Sequence, residues 1–224
     1  AASSLATAEI KINEFLSFEG FVDMSYSHTD RDSGGSDSND NSFGIDEVEI
    51  DWLFNFGKVT ARVDLEYGYV QTDDQGTLVE QAFVNYDLGN GASITAGRYE
   101  SMLGLEAKEP TGLYQYSTAY GSGINTNFIG LPDYAQGVKY FVQNENSSYG
   151  ISIQDTVSTI DNAVWGYNGA GSLGGPDNGN GDDGTFGVEA AASLTSGAFT
   201  YFVGAAYEDR DGGDSSNFFV GNNL

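Results

Sequence analysis

Carboxylates dominate the side chains of this sequence that could do chemistry. The 224 residues include 33 Asp and Glu but only 8 Lys and Arg, which gives a formal charge of −25. Many of the acids lie in three runs: DRDSGGSDSND (30–40), GGPDNGNGDDG (174–184) and DRDGGD (209–214). Clustered carboxylates suit the hard cations Ca²⁺ and Mg²⁺. The candidate ligands for a loop-bound ion are therefore Asp30, Asp32, Asp37, Asp182 and Asp183.

None of these runs completes a twelve-residue calcium-binding loop. Asp37, Asn39 and Asn41 have the required spacing, but Ser42 stands where the loop needs glycine and Val48 where it needs a bidentate acid. Solvated acidic loops are the simpler interpretation of the runs. The same acidity excludes a nucleic-acid partner, because that surface needs a basic stripe.

The sequence offers little that a catalytic site could use. His28 is the only histidine, which excludes histidine-pair metal sites, and there is no cysteine and no GxSxG elbow. GAGSLG (169–174) matches a dinucleotide fingerprint by letters, but no helix is predicted after it. Glu47 and Glu49 could imitate a glycosidase pair, although a role in lining a wet surface suits them better. We predict no enzymatic activity and no cofactor, apart from a loop-bound Ca²⁺ or Mg²⁺.

Alternation along extended segments explains where most other acids stand. In LSFEGFVDMSYS (16–27), Leu16, Phe18 and Val22 fall on one side of a strand, and Glu19 and Asp23 on the other. The same pattern recurs in FGIDEVEIDWLFNF (43–56), KVTARVDLEYGYV (58–70), GVKYFVQ (137–143), SYGISIQ (148–154), FGVEAAASL (186–194) and FTYFVGAAYE (199–208). About nine strands are predicted, with a tenth beginning near Asn217.

The connections between these strands alternate in length. Short turns are predicted at 55–58, 88–91, 144–148 and 195–197, and longer joins at 29–42, 73–76, 101–134, 156–184 and 209–217. All short turns would then lie at one end of the sheet and all long loops at the other. This layout, with Tyr and Trp near the strand ends, is typical of an antiparallel up-and-down transmembrane β-barrel. We therefore predict one all-β domain over 1–224; a secreted β-sandwich or jelly roll is the alternative.

In such a barrel the polar face encloses water. The carboxylates predicted to line this lumen are Glu19, Asp23, Glu47, Glu49, Asp51, Asp64, Glu66 and Glu189. They outnumber the cations expected on the same face, Arg62 and Lys139. The prediction is a pore that prefers cations.

The stretch EQAFVNYDLGNGASITAGRYESMLGLE (80–106) and the later strand GVKYFVQ resemble the OmpL-like β-barrel porin-2 family of Gram-negative outer membranes. The most telling piece is AGRYESMLGLE (96–106), which leads into a long third loop. The resemblance implies a barrel of about sixteen strands, assembled as a trimer, with the third loop folded inward to narrow the pore. The chain would be an N-terminal part of such a protein, ending within strand ten at SSNFFVGNNL; closure with only ten strands is the alternative.

Residues 101–134 are the candidate pore constriction, because a loop of this length inside a compact domain is usually functional or disordered. We expect Glu106, Glu109 and Asp133 to line one side of the pore and Arg62, Lys139 and Arg98 to face them. An external loop packed at a subunit contact is the alternative. Arg98 shares an outward face with Glu80 if the strand is regular, whereas a bulge at Gly97 would turn it into the lumen.

The sequence as a whole predicts an outer-membrane porin for passive diffusion of small hydrophilic solutes. Its expected partners are membrane lipid, lipopolysaccharide bridged by divalent ions, and further copies of the chain. Two other functions stay open: a non-conducting adhesive or lattice-forming surface barrel, and a secreted sandwich that binds polysaccharide.

Overall fold

A computed structural model describes residues 9–33, 36–67, 77–103, 134–154, 186–208 and 215–223. These residues form eleven strands: β1 (Ile10–Lys11), β2 (Leu16–Ser33), β3 (Ser36–Phe56), β4 (Val59–Tyr67), β5 (Thr77–Gly89), β6 (Ala92–Glu100), β7 (Tyr134–Gln143), β8 (Ser147–Gln154), β9 (Gly187–Ser196), β10 (Phe199–Glu208) and β11 (Ser215–Asn223). In the described ranges, no helix has the length and apolar character needed to cross a membrane.

All eleven strands belong to one sheet, in which each strand pairs antiparallel with its neighbours in sequence. The order runs from β1 to β11, and these two strands are the edges of the sheet in the described part of the chain. The all-β, up-and-down arrangement predicted from the alternation is therefore confirmed. A Greek-key sandwich would instead place strands distant in sequence side by side.

Burial in this sheet is the reverse of that in a water-soluble protein. Large apolar side chains on one face are exposed, as in Phe43 (82%), Met24 (65%) and Ile153 (57%). Carboxylates on the other face are buried, and Asp64 and Glu189 are both fully inaccessible. Contiguous exposed apolar surface on this scale marks contact with another apolar phase.

Aromatic pairs bound the apolar stretch of β2 and β3 on both sides. Phe15 stacks on Phe56 with ring centroids 5.7 Å apart beside the short turn, and Tyr26 contacts Phe43 at 4.9 Å toward the other end. Between Phe43 and Phe56 the strand rises roughly 40 Å at 3.3 Å per residue. Strands of transmembrane barrels are tilted by about 45° from the membrane normal. At that tilt the distance between the two aromatic pairs is roughly 28 Å perpendicular to the membrane plane, close to the hydrocarbon thickness of a bilayer.

Two register shifts keep the apolar residues on one face although their parity changes in sequence. In β3 the pairing with β2 passes from Glu47 to Ile45 and skips Asp46. Val48 and Ile45, of opposite parity, can therefore both join the apolar face. In β5 the pairing with β4 passes from Gln81 to Val79 in the same way and skips Glu80.

The predicted short turns are confirmed, including Gly89-Asn90-Gly91, where all three residues have positive φ. The predicted long join at 29–42 is wrong. β2 continues to Ser33 and β3 starts at Ser36, with paired residues from Ser27–Ser42 to Ser33–Ser36. Polar, serine- and aspartate-rich sequence suggested a loop, but cross-strand hydrogen bonding extends the hairpin regardless of its composition. The joins predicted at 73–76 and 156–184 lie outside the described residues.

Candidate pore wall

Strand pairing brings the acids of β2, β3 and β4 into rows on the buried face. Glu19 pairs with Asp51, and Asp51 with Asp64, which in turn pairs with Gln81 of β5. Two further pairs complete the pattern, Asp23 with Glu47 and Glu49 with Glu66. Cross-strand neighbours on one face stand about 4.5–5.5 Å apart at Cβ. The wall of β2 to β5 is thus densely anionic.

Arg62 of β4 reaches across this anionic wall and holds three of its carboxylates. Its Nε donates to both oxygens of Asp64, at 2.7 and 2.8 Å. Its Nη2 donates to Asp51 at 3.0 Å and its Nη1 to Glu19 at 3.4 Å. The amide of Gln81 donates to the second oxygen of Asp64 at 2.6 Å. A single guanidinium therefore links β2, β3 and β4 through charge-assisted bonds.

A second group of acids lies toward the long-loop end of the same face. One carboxylate oxygen from each of Glu47, Glu49 and Glu80 falls within 4.8 Å of the others. The outward position that a regular strand would give Glu80 is not the one observed, because the pairing of β5 with β4 skips this residue and breaks the alternation. The hydroxyl of Tyr134 donates to Glu80 at 3.1 Å.

Residues 101–103, which follow β6, cross the buried face of the sheet. Ser101 Oγ donates to Glu189 Oε2 at 2.7 Å, and the backbone N–H of Met102 donates to the other oxygen of that carboxylate. Leu103 is only 1% exposed. Because Glu189 lies on β9, three strands away from β6, the chain here runs over the face rather than along its edge.

Lys139 lies beside this crossing. Its Nζ donates to the carbonyl of Glu100 at 3.3 Å and lies 4.4 Å from the ring centroid of Tyr99. An open cavity of about 320 Å³ adjoins these groups. It is lined by Lys139, Met102, the hydroxyls of Ser148, Ser193 and Thr200, and the rings of Phe141 and Phe202.

Arg98 packs against the chain at the ends of β5 and β7. Its Nε donates to the carbonyl of Glu80 at 2.7 Å, and its guanidinium lies 5.0 Å from the ring centroid of Tyr134. Pairing continues through Gly97 without a register shift, but Gly97 has a φ of 125°. The Nη1 atom of Arg98 is buried, so the guanidinium is not displayed among the exposed apolar side chains.

The other predicted site residues are described only in part. Glu106, Glu109, Asp133, Asp182 and Asp183 lie outside the described residues. Asp30, Asp32 and Asp37 belong to paired strands of the β2–β3 hairpin rather than to a loop, and Asp32 pairs with Asp37. An extended ladder does not provide the tight turn of a calcium-binding loop.

Residues 16–139, more than half of the chain, match the family model "Putative beta-barrel porin-2, OmpL-like". The chain belongs to this family. No curated protein matches the sequence.

The family match confirms the resemblance carried by residues 80–106. It runs from the start of β2 to Lys139 in β7 and so includes the Arg62 network and residues 101–103. A family of β-barrel porins is a class of channel proteins rather than of enzymes. Glu189 and β8 to β11 lie beyond the matched residues, and their assignment to the same wall rests on the continuous sheet.

Sequence reasoning missed several residues of this wall. Glu80 is missed because the register shift in β5 reverses the parity beyond Gln81. Gln81 keeps the parity of Phe83 and Asn85, and it is missed because only charged residues are taken as candidates for the polar face. Ser101 and Met102 were placed in a long loop with no expected partner. One signal of residues 101–103 is present in the sequence. Gly150 and Gly204, which contact them, are small residues at inward strand positions, and such residues indicate that another part of the chain approaches closely.

Proposed function

We propose that this chain forms the wall of a water-filled outer-membrane pore for passive diffusion of small hydrophilic solutes, with a preference for cations. The observation that carries the proposal is the reversed burial: exposed apolar side chains on one face of a single sheet and buried carboxylates on the other. Lipid satisfies the first face and water in the lumen the second. The distance between the two aromatic rows supports the same interpretation.

The charge of the buried face supports the cation preference. In the described part of the chain its carboxylates are Glu19, Asp23, Glu47, Glu49, Asp51, Asp64, Glu66, Glu80, Glu189 and Glu208. The cations on or beside this face there are Arg62, Lys139 and Arg98, which bonds the backbone of Glu80. Arg62 is already bound by three of these acids. The remaining negative potential attracts cations and repels anions at close range.

Planar-bilayer recordings of the native protein in a KCl gradient test this function. We expect discrete conductance steps and a reversal potential that is shifted toward the equilibrium potential of K⁺. The preference should weaken as the Debye length falls from about 10 Å at 0.1 M to about 3 Å at 1 M salt. A protein that inserts but gives no steps, or that prefers Cl⁻ at 0.1 M, would contradict the proposal.

A surface role is the second candidate, and the long β2–β3 hairpin favours it. This hairpin continues for roughly 20 Å beyond the Tyr26–Phe43 pair, at 3.3 Å per residue, with polar sequence throughout. Shortening it by removing 29–40 should leave conductance unchanged if the protein is only a pore. Loss of cell adhesion or of lattice order in that variant would instead support a surface function.

Contacts beyond the single chain are part of the same proposal. The exposed apolar face would meet lipid and, in a trimer, the equivalent face of another copy. Acidic outer segments would meet lipopolysaccharide through Ca²⁺ or Mg²⁺. Migration of the unheated protein as a trimer on gels would support the contact between copies. Dissociation of lipopolysaccharide from the protein when divalent ions are chelated would support the second contact.

A further inference from the structure

We propose that Glu189 is a positioning residue: it holds residues 101–103, here called the crossing segment, over the interior face and so sets the width of the solute path. The inference rests on the proposed pore function and deepens it. Its basis is the set of contacts between this segment and β8, β9 and β10.

Glu189 receives both of its described bonds from the crossing segment. Ser101 Oγ donates to one carboxylate oxygen and the N–H of Met102 to the other, and Ser101 Oγ also accepts from the N–H of Leu103 at 3.1 Å. Glu189 is fully buried and Ser101 is 8% exposed. Bonds of this kind to a buried carboxylate are stronger than bonds between neutral groups. The carboxylate thus fixes the backbone of the segment as well as a side chain.

The wall beneath the crossing segment is shaped to receive it. A Cβ added at Gly150 would lie 2.6 Å from Sδ of Met102, and one added at Gly204 would lie 2.6 Å from Cδ2 of Leu103. Neither glycine has the positive φ that would require glycine for backbone reasons. An added Cβ at Gly150 would also meet the ring of Phe141 at 2.7 Å and the carbonyl oxygen of Tyr140 at 2.9 Å. Close approach of the crossing segment is therefore one of the reasons that these positions have hydrogen in place of a methyl group.

Contact between Leu103 and β10 requires the sheet to curl toward its buried face. In a flat sheet β10 would stand about 19 Å from β6, at about 4.8 Å per strand. Leu103, only three residues beyond the end of β6, nevertheless packs at Gly204. The crossing segment is therefore a chord across a curved wall, and Met102 lies at the rim of the cavity that contains Lys139. Movement of this chord would change the open cross-section there.

A thiol reporter tests the contact itself, since the chain has no cysteine of its own. Leu103→Cys would be labelled slowly by a water-soluble maleimide, because residue 103 is buried. Adding Glu189→Ala should raise the labelling rate at least about tenfold, the change that corresponds to one lost hydrogen bond to a charged group. Glu208→Ala is the matched control, because it removes the same charge from a buried carboxylate on the adjacent strand. Heat-modifiable migration on gels verifies that each variant is folded.

Single-channel recordings test whether the contact positions the pore. In Glu189→Ala the fraction of time spent at altered conductance levels should rise at least about tenfold over that in Glu208→Ala. In the double variant Ser101→Cys with Glu189→Cys, a short bifunctional thiol reagent should restore the native level. A purely electrostatic role of Glu189 would not be rescued by an uncharged cross-link.

Each outcome decides one question. Equal labelling in the Glu189→Ala and Glu208→Ala backgrounds overturns the positioning role. Faster labelling with unchanged conductance overturns it as well, since the segment would then be held without setting the path. Absence of conductance in the native protein refutes the pore function, whereas the labelling result still reports on the contact.

Discussion

Arg62 and Asp64 stand two residues apart on β4, and the Nε of the first donates to both carboxylate oxygens of the second at 2.7 and 2.8 Å. The side chain of Asp64 is 1% exposed and that of Arg62 is 28% exposed. The guanidinium also reaches Asp51 and Glu19. It is therefore the counter-charge for three strands of the wall.

Replacing Arg62 should destabilise the protein and make its pore more cation-selective. Arg62→Met keeps the length of the side chain but leaves three carboxylates without their cation, which costs on the order of 3 kcal/mol. Urea unfolding from lipid vesicles measures the stability, and reversal potentials measure the selectivity. Arg62→Lys should recover only part of both, because an ammonium lacks the planar fork of donors. Equal stability of Arg62→Met and the native protein would show that the network is dispensable.

Neutralising two partly buried acids should weaken the proposed cation preference. Asp23 and Glu47 are directly paired on the buried face, so Asp23→Asn with Glu47→Gln removes two charges with little change in shape. We expect a smaller K⁺ over Cl⁻ permeability ratio at 0.1 M KCl and almost no change at 1 M, where the Debye length is only about 3 Å. An effect of the same size at both salt concentrations would indicate a change in pore shape rather than in charge.

Charge on the exposed apolar face should be costly in proportion to its depth. Ile151 lies in the middle of β8 and Phe199 beside the short turn before β10. Ile151→Arg should destabilise the protein folded in vesicles by about 2–4 kcal/mol, and Phe199→Arg should destabilise it by about 0–1 kcal/mol. Equal costs at the two positions would contradict the assignment of this face to lipid.

The register shift in β3 predicts which deletion the wall tolerates. The pairing with β2 skips Asp46, so its removal leaves Ile45 and Glu47 adjacent and on opposite faces, as they already are. Removal of Asp51 would instead move every side chain on one side of the gap to the wrong face. We expect the first variant to insert and become heat-modifiable and the second to fail. Failure of both would show that the shift itself is required.

The alternation could be read from the sequence because each face meets a different solvent. Parity alone places one set of residues on the apolar side and another on the polar side, and the pairing agrees: Val48, Ile50 and Val63 against Glu49, Asp51 and Asp64. Parity carries no information where a residue is skipped. A regular strand would for this reason place Glu80 on the apolar face. The long join predicted at 29–42 is wrong for a different reason, because polar composition does not reveal that the two strands stay paired as far as Ser33 and Ser36.

The contact between Ser101 and Glu189 could not have been predicted. The two residues are 88 positions apart, and neither alternation nor composition links a serine after one strand to an acid in the middle of another. Only the curvature of the assembled sheet brings them together. For the same reason the network of Arg62 was foreseen as a shared face but not as a specific set of partners.

The hairpin that continues past Tyr26 and Phe43 has a geometric freedom that the rest of the sheet lacks. Its backbone bonds are made between its own two strands, and β4 pairs with β3 only as far as Val48 in the described part of the chain. Inserting two residues into each strand of the hairpin would lengthen it by about 7 Å. Every side chain in the rest of the sheet would stay on its present face, because an even insertion preserves the alternation. The reach of this hairpin can therefore vary while the side chains that the rest of the sheet presents on its two faces stay the same.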